Sequence, residues 1–328
     1  MKKKVFSAMR PTGPLHLGHL VGALENWVDM QDEFDCIYGI VDWHALTTEY
    51  QNVEKISHNI IEIGLDWLAA GLDPKKSILM IQSMVPEHAE LQLMLGMICP
   101  VPWLERVPTY KEQIQQLKSK DLSTFGFLGY PLLQAADILI YQADVIPVGE
   151  DQVSHVEMTR EVARRFNYLF KRVFSEPQAL MTQAPRLPGT DGRKMSKSYR
   201  NEIRLSDDPG RIKKKIMPMI TDPARVKRTD PGNPLICPVY DLHKVFTHTE
   251  GKKWVVEGCT SAGIGCFDCK KLLLEGMLPK IEPVASRRKD LQKDRASVIE
   301  VLREGSKRAR EIACQTLDKV RQAMQLKY

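Results

Sequence analysis

The feature that most limits the folds open to this chain is the alternation of short apolar strands with amphipathic helices near its start. Apolar runs that suit buried strands occur at residues 4–9, 36–41 and 78–82. Helical spacing of apolar residues intervenes at residues 17–34, 53–70 and 88–98. This alternation predicts an α/β fold with a doubly wound parallel sheet. Ligands bind such sheets where the strand order switches, so we expect a ligand at the turn of residues 10–19.

The basic charge of the chain is concentrated in one segment. Residues 186–228 hold 13 lysines and arginines against 5 acidic residues, and the whole chain has a formal net charge of +6. A basic segment of this kind either is a solvated face or holds a polyphosphate or RNA. No apolar run of about 18 residues is present, and no long apolar stretch follows the basic first residues. We therefore expect an uncleaved cytoplasmic protein without membrane contact.

The predicted ligand turn carries two histidines three residues apart. The sequence from Pro11 to His19 reads Pro-Thr-Gly-Pro-Leu-His-Leu-Gly-His. At a helix start this spacing places the imidazoles of His16 and His19 on one face, and Gly18 between them lets a flat ring approach the backbone. The positive end of the helix suits a phosphate. Taken alone, the pattern can also be two ordinary histidines in a turn, so a second motif is needed to decide.

That second motif is a lysine-rich loop. Lys194-Met195-Ser196-Lys197-Ser198 follows the glycine-containing segment 189–192, which would let two ammonium groups swing onto a triphosphate. The loop comes about 180 residues after the histidine turn, and the two motifs together are far more specific than either alone. On these residues the chain resembles the class I aminoacyl-tRNA synthetases, in which the first motif packs against ATP and the second closes over its phosphates.

The resemblance implies activation of an amino acid with ATP and transfer to tRNA, without a protein nucleophile. The amino-acid carboxylate attacks the α-phosphorus, and catalysis rests on positioning and charge neutralisation, with Mg²⁺ on the phosphates. The implied catalytic residues are His16, His19, Lys194 and Lys197, the lysines stabilising pyrophosphate. The implied ATP-binding residues are Arg10, Pro11, Thr12, Gly18, His19, Gly149, Glu150, Asp151, Leu187, Lys194, Met195, Ser196, Lys197 and Ser198. Nucleotidyltransferases share the histidine turn, but they are usually shorter.

Two stretches, residues 129–139 and 145–152, bear on the choice of amino acid. Tyr130, Gln134 and Asp137 recur at helical spacing within an apolar helix and therefore share a face. A carboxylate at the base of an apolar slot is the acceptor that an indole N–H requires. Asp137 could instead be an acid on the helix surface, paired with a lysine or arginine.

These stretches resemble the tryptophan-specific branch of the family, whose aspartate at the position of Asp137 binds the indole nitrogen. The implied tryptophan-binding residues are Phe6, Val41, His44, Tyr130, Gln134, Asp137, Val148 and Gln152. Gln152 would hold the ammonium or carboxylate of the substrate, and Gly149-Glu150-Asp151 resembles a ribose-binding turn. Gln134 departs from the methionine of many bacterial members. The tyrosine-specific branch is the alternative, but the first strand contains no tyrosine.

Four cysteines are clustered in the second half. Cys237, Cys259, Cys266 and Cys269 are separated by 21, 6 and 2 residues, and four thiolates satisfy either Zn²⁺ or a [4Fe–4S] cluster. The spacing alone does not choose between the two metals. The pattern is similar to that of an iron–sulfur subset of the tryptophan-specific branch, which implies [4Fe–4S] first and zinc second. We expect Cys36, Cys99 and Cys314 to be ordinary core thiols.

The resemblance covers nearly the whole chain and implies its organisation. We expect a Rossmann-like catalytic domain at residues 1–187 and a helical anticodon-binding domain at 188–287. The C-terminal helices, residues 288–328, should pack back on the catalytic domain. The implied partners are L-tryptophan, ATP, tRNA(Trp) and a second copy of the chain in a homodimer. The alternative from another class is a non-catalytic iron–sulfur RNA-binding paralogue, against which the intact motifs argue.

Overall fold

The described part of the protein is built around a five-stranded parallel sheet. The computed structural model describes residues 2–116, 120–182 and 185–326, and the side chains of Gln116 and Ser198 are outside the described part. The strands are β1 (Lys4–Met9), β2 (Asp35–Ile40), β3 (Ser77–Ile81), β4 (Val145–Val148) and β5 (Gln178–Met181). Their order is β3-β2-β1-β4-β5, and each pairing is parallel. The predicted sheet is confirmed, and the three predicted strands agree with β1, β2 and β3 to within a residue.

Helices pack on the sheet and form much of the second half of the described chain. They are α1 (Leu17–His19), α2 (Glu25–Glu33), α3 (Asp42–Glu49), α4 (Ile56–Ala70), α5 (Glu87–Gly96), α6 (Val101–Glu105), α7 (Pro108–Gln116), α8 (Phe125–Leu139), α9 (Val153–Leu169), α10 (Pro209–Ile216), α11 (Pro238–Phe246), α12 (Thr249–Thr260), α13 (Cys266–Leu291) and α14 (Arg295–Ala323). Among the helices of these described residues, none is both long and apolar enough to cross a membrane.

Two predicted helices are interrupted. A π-helical turn, Leu20–Leu24, separates α1 from α2, so the predicted helix over residues 17–34 changes its hydrogen-bond pattern near the start. The C-terminal segment that we expect to be helical, residues 288–328, is also interrupted, because α13 ends at Leu291 and α14 begins at Arg295. Asp294 causes the second break, since its side chain accepts the Ser297 N–H at 3.1 Å and thereby caps the new helix.

Large aromatic side chains fix the first helices against the sheet. Trp27 of α2 stacks on Tyr38 of β2 with ring centroids 4.5 Å apart, and the edge of Trp67 of α4 meets Trp27 at 5.5 Å. The buried Tyr38 hydroxyl donates a hydrogen bond to the Trp27 carbonyl at 2.9 Å. Close packing of these rings holds α2, and the turn that precedes it, at a defined height above the sheet.

The C-terminal helix α14 covers the β3 edge of the sheet. The Ser306 hydroxyl accepts the Ile81 N–H at 3.0 Å, which satisfies a backbone donor that an edge strand would otherwise leave free. Gly305 allows this approach, because a Cβ atom there would lie 1.9 Å from the Leu79 carbonyl oxygen. Helix α14 therefore lies directly on the strand backbone. The domain boundaries at residues 187 and 287 remain predictions.

Candidate active site

A cavity of about 620 Å³ opens where the carboxyl ends of β1 and β4 meet the turn before α1. Strand β1 has β2 on one side and β4 on the other, so the cavity lies at the switch in strand order that the sequence predicts as a ligand site. The predicted site residues that line it are Phe6, Arg10, Gly18, His19, Val41, His44, Tyr130, Gln134, Asp137, Val148, Gly149, Asp151 and Gln152. Lining residues that the sequence did not single out include Trp27, Thr47 and His155.

Other predicted residues lie outside the lining of this cavity. The structure places Pro11, Thr12 and His16 in the turn beside it, and Glu150 in the short 3₁₀ turn that carries Asp151. The remaining ones belong to the loop after residue 185: Leu187, Lys194, Met195, Ser196 and Lys197. Leu187 and Met195 are buried, whereas Lys194 is exposed. The side chain predicted at Ser198 is outside the described part of the chain.

The two histidines build a capping box at the start of α1. His16 Nδ1 accepts the Gly18 N–H at 3.1 Å, and His19 Nδ1 accepts the His16 N–H at 3.2 Å. Their ring centroids are 4.0 Å apart. Burial and the nearby charge of Lys197 lower the pKa of His16 to about 4, and burial with the neighbouring His16 lowers the pKa of His19 well below its ordinary value. Both rings are therefore neutral at pH 7, with Nδ1 as acceptor.

The lysine-rich loop lies directly against this turn. Lys197 Nζ donates to the Gly13 carbonyl at 2.7 Å. The chain that follows the loop pairs with the turn, because the Leu17 N–H donates to the Ile203 carbonyl at 3.0 Å and the Leu205 N–H to the Leu15 carbonyl at 3.2 Å. The structure thus brings together two motifs that are about 180 residues apart in the sequence.

The shape of the lysine-rich loop depends on a residue that sequence reasoning missed. Asn201 is 2% exposed, and its Oδ1 accepts the Ser196 N–H at 2.8 Å. Its Nδ2 donates to Asp191 Oδ1 at 2.7 Å and to the Lys194 carbonyl at 3.2 Å. Gly189 makes room for the amide, since a Cβ atom there would lie 2.2 Å from it. Asn201, just beyond the motif, therefore ties together three positions of the loop, Asp191, Lys194 and Ser196.

Asp137 is buried at the floor of the cavity and is 1% exposed. It accepts hydrogen bonds from His44 Nε2 at 3.0 Å and His88 Nδ1 at 2.6 Å, and Gln82 Nε2 lies 2.8 Å from both of its oxygens. Burial raises the pKa of Asp137, but the charge and hydrogen bond of His88 and the hydrogen bond of His44 outweigh it and lower the pKa to about 2. Asp137 is thus an ionised acceptor, and both imidazoles donate to it.

The partners of Asp137 were only partly foreseen. His44 was predicted in the pocket, whereas Gln82 and His88, on the segment after β3 and at the start of α5, were not. His88 is itself oriented from behind, because Tyr141 shares a hydrogen bond with its Nε2 at 2.6 Å. Burial keeps the Tyr141 hydroxyl protonated by raising its pKa well above the ordinary value. Two polar residues beside the apolar strand β3 were the available signal.

A second buried group of hydrogen-bonded side chains lies across the cavity. The Tyr130 hydroxyl is 2.9 Å from Thr109 Oγ1, which in turn is 2.6 Å from His155 Nε2. Burial, and secondarily the charge of His44, lower the pKa of His155 to about 4, so this ring is neutral. His155 follows Gln152 by one turn of α9 and lines the cavity, which makes it a pocket residue that the sequence analysis overlooked.

The four clustered cysteines come from three helices and lie near one another. Cys237 caps α11, Cys259 is in the last turn of α12, and Cys266 and Cys269 are in the first turn of α13. Burial, followed by the charges of the other three thiols, raises the pKa of Cys269 to about 12. His243 Nε2 is 3.2 Å from Cys269 Sγ. Within residues 2–116, 120–182 and 185–326, however, no three or more His, Cys, Asp or Glu side chains are arranged to hold a metal ion.

Comparison with known proteins identifies the family of this fold and site. Residues 1–277 match the family model described as tRNA synthetases class I (W and Y). The chain therefore belongs to the class I tRNA synthetase family for tryptophan and tyrosine.

Its relatives narrow this to tryptophan. The chain is 55% identical to the tryptophan–tRNA ligase of Thermotoga maritima, covering 99% of this chain and 100% of that protein. It is 46% identical to the same enzyme of Ralstonia nicotianae, with 99% of each covered. The crystal structure of tryptophanyl-tRNA synthetase from Campylobacter jejuni complexed with ADP and tryptophan matches with a TM-score of 0.87 at 31% identity, over 98% of this chain and 100% of that one. The predicted activity, tryptophan–tRNA ligation by an aminoacyl-tRNA synthetase, is confirmed.

Proposed function

We propose that the 620 Å³ cavity is where this chain joins L-tryptophan to AMP before transfer to tRNA(Trp). The observation that carries the proposal is the buried, ionised Asp137 on the cavity floor, beside the turn of His16 and His19. Tryptophan carboxylate attacks the α-phosphorus of ATP, pyrophosphate leaves, and a terminal tRNA hydroxyl then displaces AMP from the adenylate. No side chain forms a covalent bond, so the residues act by orientation and charge.

Asp137 is the proposed specificity residue. A carboxylate has about four lone-pair positions; His44 and His88 take one each, and Gln82 Nε2, 2.8 Å from both oxygens, frees a position for an indole N–H when it turns to one of them. Phenylalanine has no donor in its ring, so it lacks the hydrogen bond to Asp137 that an indole N–H would make. Further proposed contacts to tryptophan are Phe6, Val41, Tyr130, Gln134 and Val148 around the ring and Gln152 at its ammonium or carboxylate.

The ATP site is proposed along the edge of the cavity between the two motifs. Neutral imidazoles at His16 and His19 suit this place because they can accept or donate hydrogen bonds without a net charge. Lys194 and Lys197 are the proposed partners of the departing pyrophosphate, whose charge Mg²⁺ partly neutralises when it is bound to the phosphates. Further proposed ATP contacts are Arg10, Pro11, Thr12, Gly18, Gly149, Glu150, Asp151, Leu187, Met195, Ser196 and Ser198.

Exchange of labelled pyrophosphate into ATP tests the amino-acid assignment directly. We expect exchange with tryptophan and none above background with phenylalanine or tyrosine. Discrimination against phenylalanine should be on the order of 10⁴ or more, as in sites that hydrogen-bond a polar substrate group. Exchange that depends on tyrosine and not on tryptophan would contradict the proposal. Transfer is then measured with tRNA(Trp), with a tRNA of another specificity as the control.

The cysteine cluster is proposed to bind [4Fe–4S], with zinc as the second choice. Support comes from the donor set, since four thiols lie close enough for their charges to interact and such a set suits either metal. Binding requires the thiols to draw closer than they are in the structure. A bound cluster would pin α11, α12 and α13 together. Iron and sulfide analysis after anaerobic purification tests this, and a colourless protein that holds one zinc ion, or no metal, would contradict it.

The proposed assembly is a cytoplasmic homodimer that binds tRNA through residues 188–287. Helix α5 and the segment after it expose an apolar stripe at Leu93, Met97 and Val101, which are 61%, 69% and 51% exposed. Leu93 and the C-cap residue Met97 are four residues apart and so lie on one face of α5, and Val101 begins the next helix, α6. Exposed apolar side chains of this kind commonly mark an interface. A second copy is the proposed partner, because soluble oligomers are mostly symmetric pairs of the same chain.

A further inference from the structure

A buried ion cluster connects the end of α13 to the histidine turn. Arg288 Nε donates to Asp66 Oδ1 at 2.5 Å, and the other oxygen, Oδ2, accepts the Leu15 N–H at 3.0 Å. Asp66 and Arg288 are 1% and 4% exposed. Leu15 immediately precedes His16, the first residue of the capping box. A single carboxylate therefore joins an arginine of the C-terminal half to the backbone of the ATP motif.

Both backbone polar groups of Leu15 are committed to distant parts of the chain. Its N–H is bound by Asp66, and its carbonyl accepts the Leu205 N–H. Leu205 lies in the segment that follows the lysine-rich loop. The height of the histidine turn above the sheet is thus set from two sides, and Asp66 provides one of them. Among the residues that the structure describes, Asp66 is the acceptor of the Leu15 N–H, so loss of this carboxylate would leave a buried donor unpaired.

Arg288 is held firmly enough to serve as an anchor. Its Nη2 pairs with Glu62, which also accepts Arg295 Nη2 at 2.8 Å. Asp66 and Glu62 both project from α4, so the guanidinium bridges one face of this helix. Helix α13 runs from Cys266 to Leu291, which means that the helix carrying Arg288 also begins with two of the clustered cysteines.

From this geometry we propose that Asp66 and Arg288 are positioning residues for ATP. They hold Leu15, and through it His16 and His19, at the height that ATP requires, and they do so from the end of the helix that starts at the cysteine cluster. Neither residue lines the cavity, so neither contacts substrate. The inference rests on the proposed placement of ATP beside the histidine turn.

The expected signature is a defect in ATP use with normal tryptophan binding. A displacement of about 1 Å at a reacting group can cost about 100-fold in rate, whereas the tryptophan pocket is anchored separately through Asp137. We expect Asp66→Ala and Arg288→Lys to lower kcat/KM for ATP by about 10- to 100-fold. The KM for tryptophan should stay within about twofold, because its contacts are unchanged.

The test measures tryptophan-dependent pyrophosphate exchange in the full-length protein, with kinetic constants corrected for the fraction of active sites. Arg287→Ala is the matched control, since Arg287 Nε donates to the Ala69 carbonyl at 2.6 Å and joins α13 to α4 without reaching Asp66. It should keep wild-type constants per active site. Arg288→Met, which removes the charge as well as the guanidinium, should lower kcat/KM for ATP further than Arg288→Lys does.

Two outcomes overturn the inference. One is that Asp66→Ala and Arg288→Lys lose folded protein but keep wild-type ATP constants per active site, as a purely structural pair would. The other needs no variant: rapid hydrogen exchange at the Leu15 amide of the wild-type protein would show that the bond to Asp66 does not hold the turn. Failure of the wild type to catalyse tryptophan-dependent exchange would instead contradict the proposed function.

Discussion

The ammonium of Lys197 donates a hydrogen bond to the carbonyl oxygen of Gly13 at 2.7 Å. This contact closes the lysine-rich loop over the turn that carries His16 and His19. The aliphatic part of Lys197 also packs against Gly13, where a Cβ atom would lie 3.2 Å from its Cδ. For Lys197 to bind a triphosphate between the two motifs, its hydrogen bond to the Gly13 carbonyl has to break. Lys197 therefore already lies beside the proposed phosphate site.

The first prediction concerns the pH dependence of Lys197. Burial lowers the pKa of Lys197 to about 8, so the free enzyme loses this positive charge as the pH rises through that value. Because kcat/KM reports the free enzyme, kcat/KM for ATP should fall above pH 8. Lys197→Arg should keep its charge and remove the fall below about pH 10. Titration of the substrates affects the wild type and Lys197→Arg equally. The control variant is Lys213→Arg, on the exposed side of α10. A wild-type profile that is flat to pH 10 would contradict this.

The second prediction concerns Asp137. Asp137→Asn keeps the size of the side chain but replaces one acceptor with a donor, so kcat/KM for tryptophan should fall by about 100-fold or more, as a buried donor facing the indole N–H costs several kcal/mol. The KM for ATP should change little. Pyrophosphate exchange with each substrate varied in turn measures both. An unchanged preference for tryptophan over phenylalanine would remove Asp137 from the pocket. Asp290→Asn, at an exposed carboxylate of α13, serves as the control.

The third prediction follows from the same carboxylate at low pH. The folded-state pKa of Asp137, about 2, is below the ordinary value of 3.8. A depressed carboxylate pKa stabilises the fold above pH 4, and this contribution, on the order of 2 kcal/mol, disappears as the pH falls from about 4 to 2. The free energy of unfolding, measured with urea across this pH range, should therefore decrease less on acidification for Asp137→Asn than for the wild type. Equal decreases in the free energy of unfolding of the two proteins would show that protonation of Asp137 does not cause the loss of stability.

The fourth prediction concerns Asn201. Asn201→Ala removes the hydrogen bonds to Ser196, Asp191 and the Lys194 carbonyl at once. We expect kcat for activation to fall by about 10- to 100-fold, since the lysines lose their defined position. The KM for tryptophan should remain within about twofold. Asn233→Ala is the matched control, because Asn233 makes a similar local bond to the Leu235 N–H at 3.0 Å in a loop away from the motif. Equal effects of the two variants would contradict a positioning role.

The fifth prediction concerns the apolar stripe on α5. Leu93→Glu combined with Met97→Glu places two charges in the proposed interface, where each loses its water on association. The mass measured by sedimentation should fall from about twice 37.4 kDa towards 37.4 kDa. Val226→Glu, at a residue 85% exposed, is the control and should not change the mass. A wild-type protein that sediments as a single chain would contradict the dimer, as would a double variant that stays paired.

Much of this protein can be predicted from short stretches of its sequence. The three first strands follow from local apolar periodicity, and Asp137 stands out as an acid in an otherwise apolar helix. The missed residues are of another kind. Gln82 and His88 matter because they reach Asp137 from 55 and 49 residues away. Their roles depend on pairing across the fold, which local patterns do not record.

The sequence by itself determined the alternation of strands and helices, the histidine turn, the lysine-rich loop and the family of the chain, because each depends on residue types at fixed short spacing. Only the tertiary structure decided that Lys197 rests on Gly13, that Asn201 shapes the loop and that Arg288 reaches Leu15 through Asp66. Lys197 and Gly13 are 184 positions apart in the sequence, Asn201 and Ser196 are 5 apart, and Arg288 and Asp66 are more than 200 apart. These contacts exist because burial leaves each polar group only the partners that packing brings within about 3 Å of it.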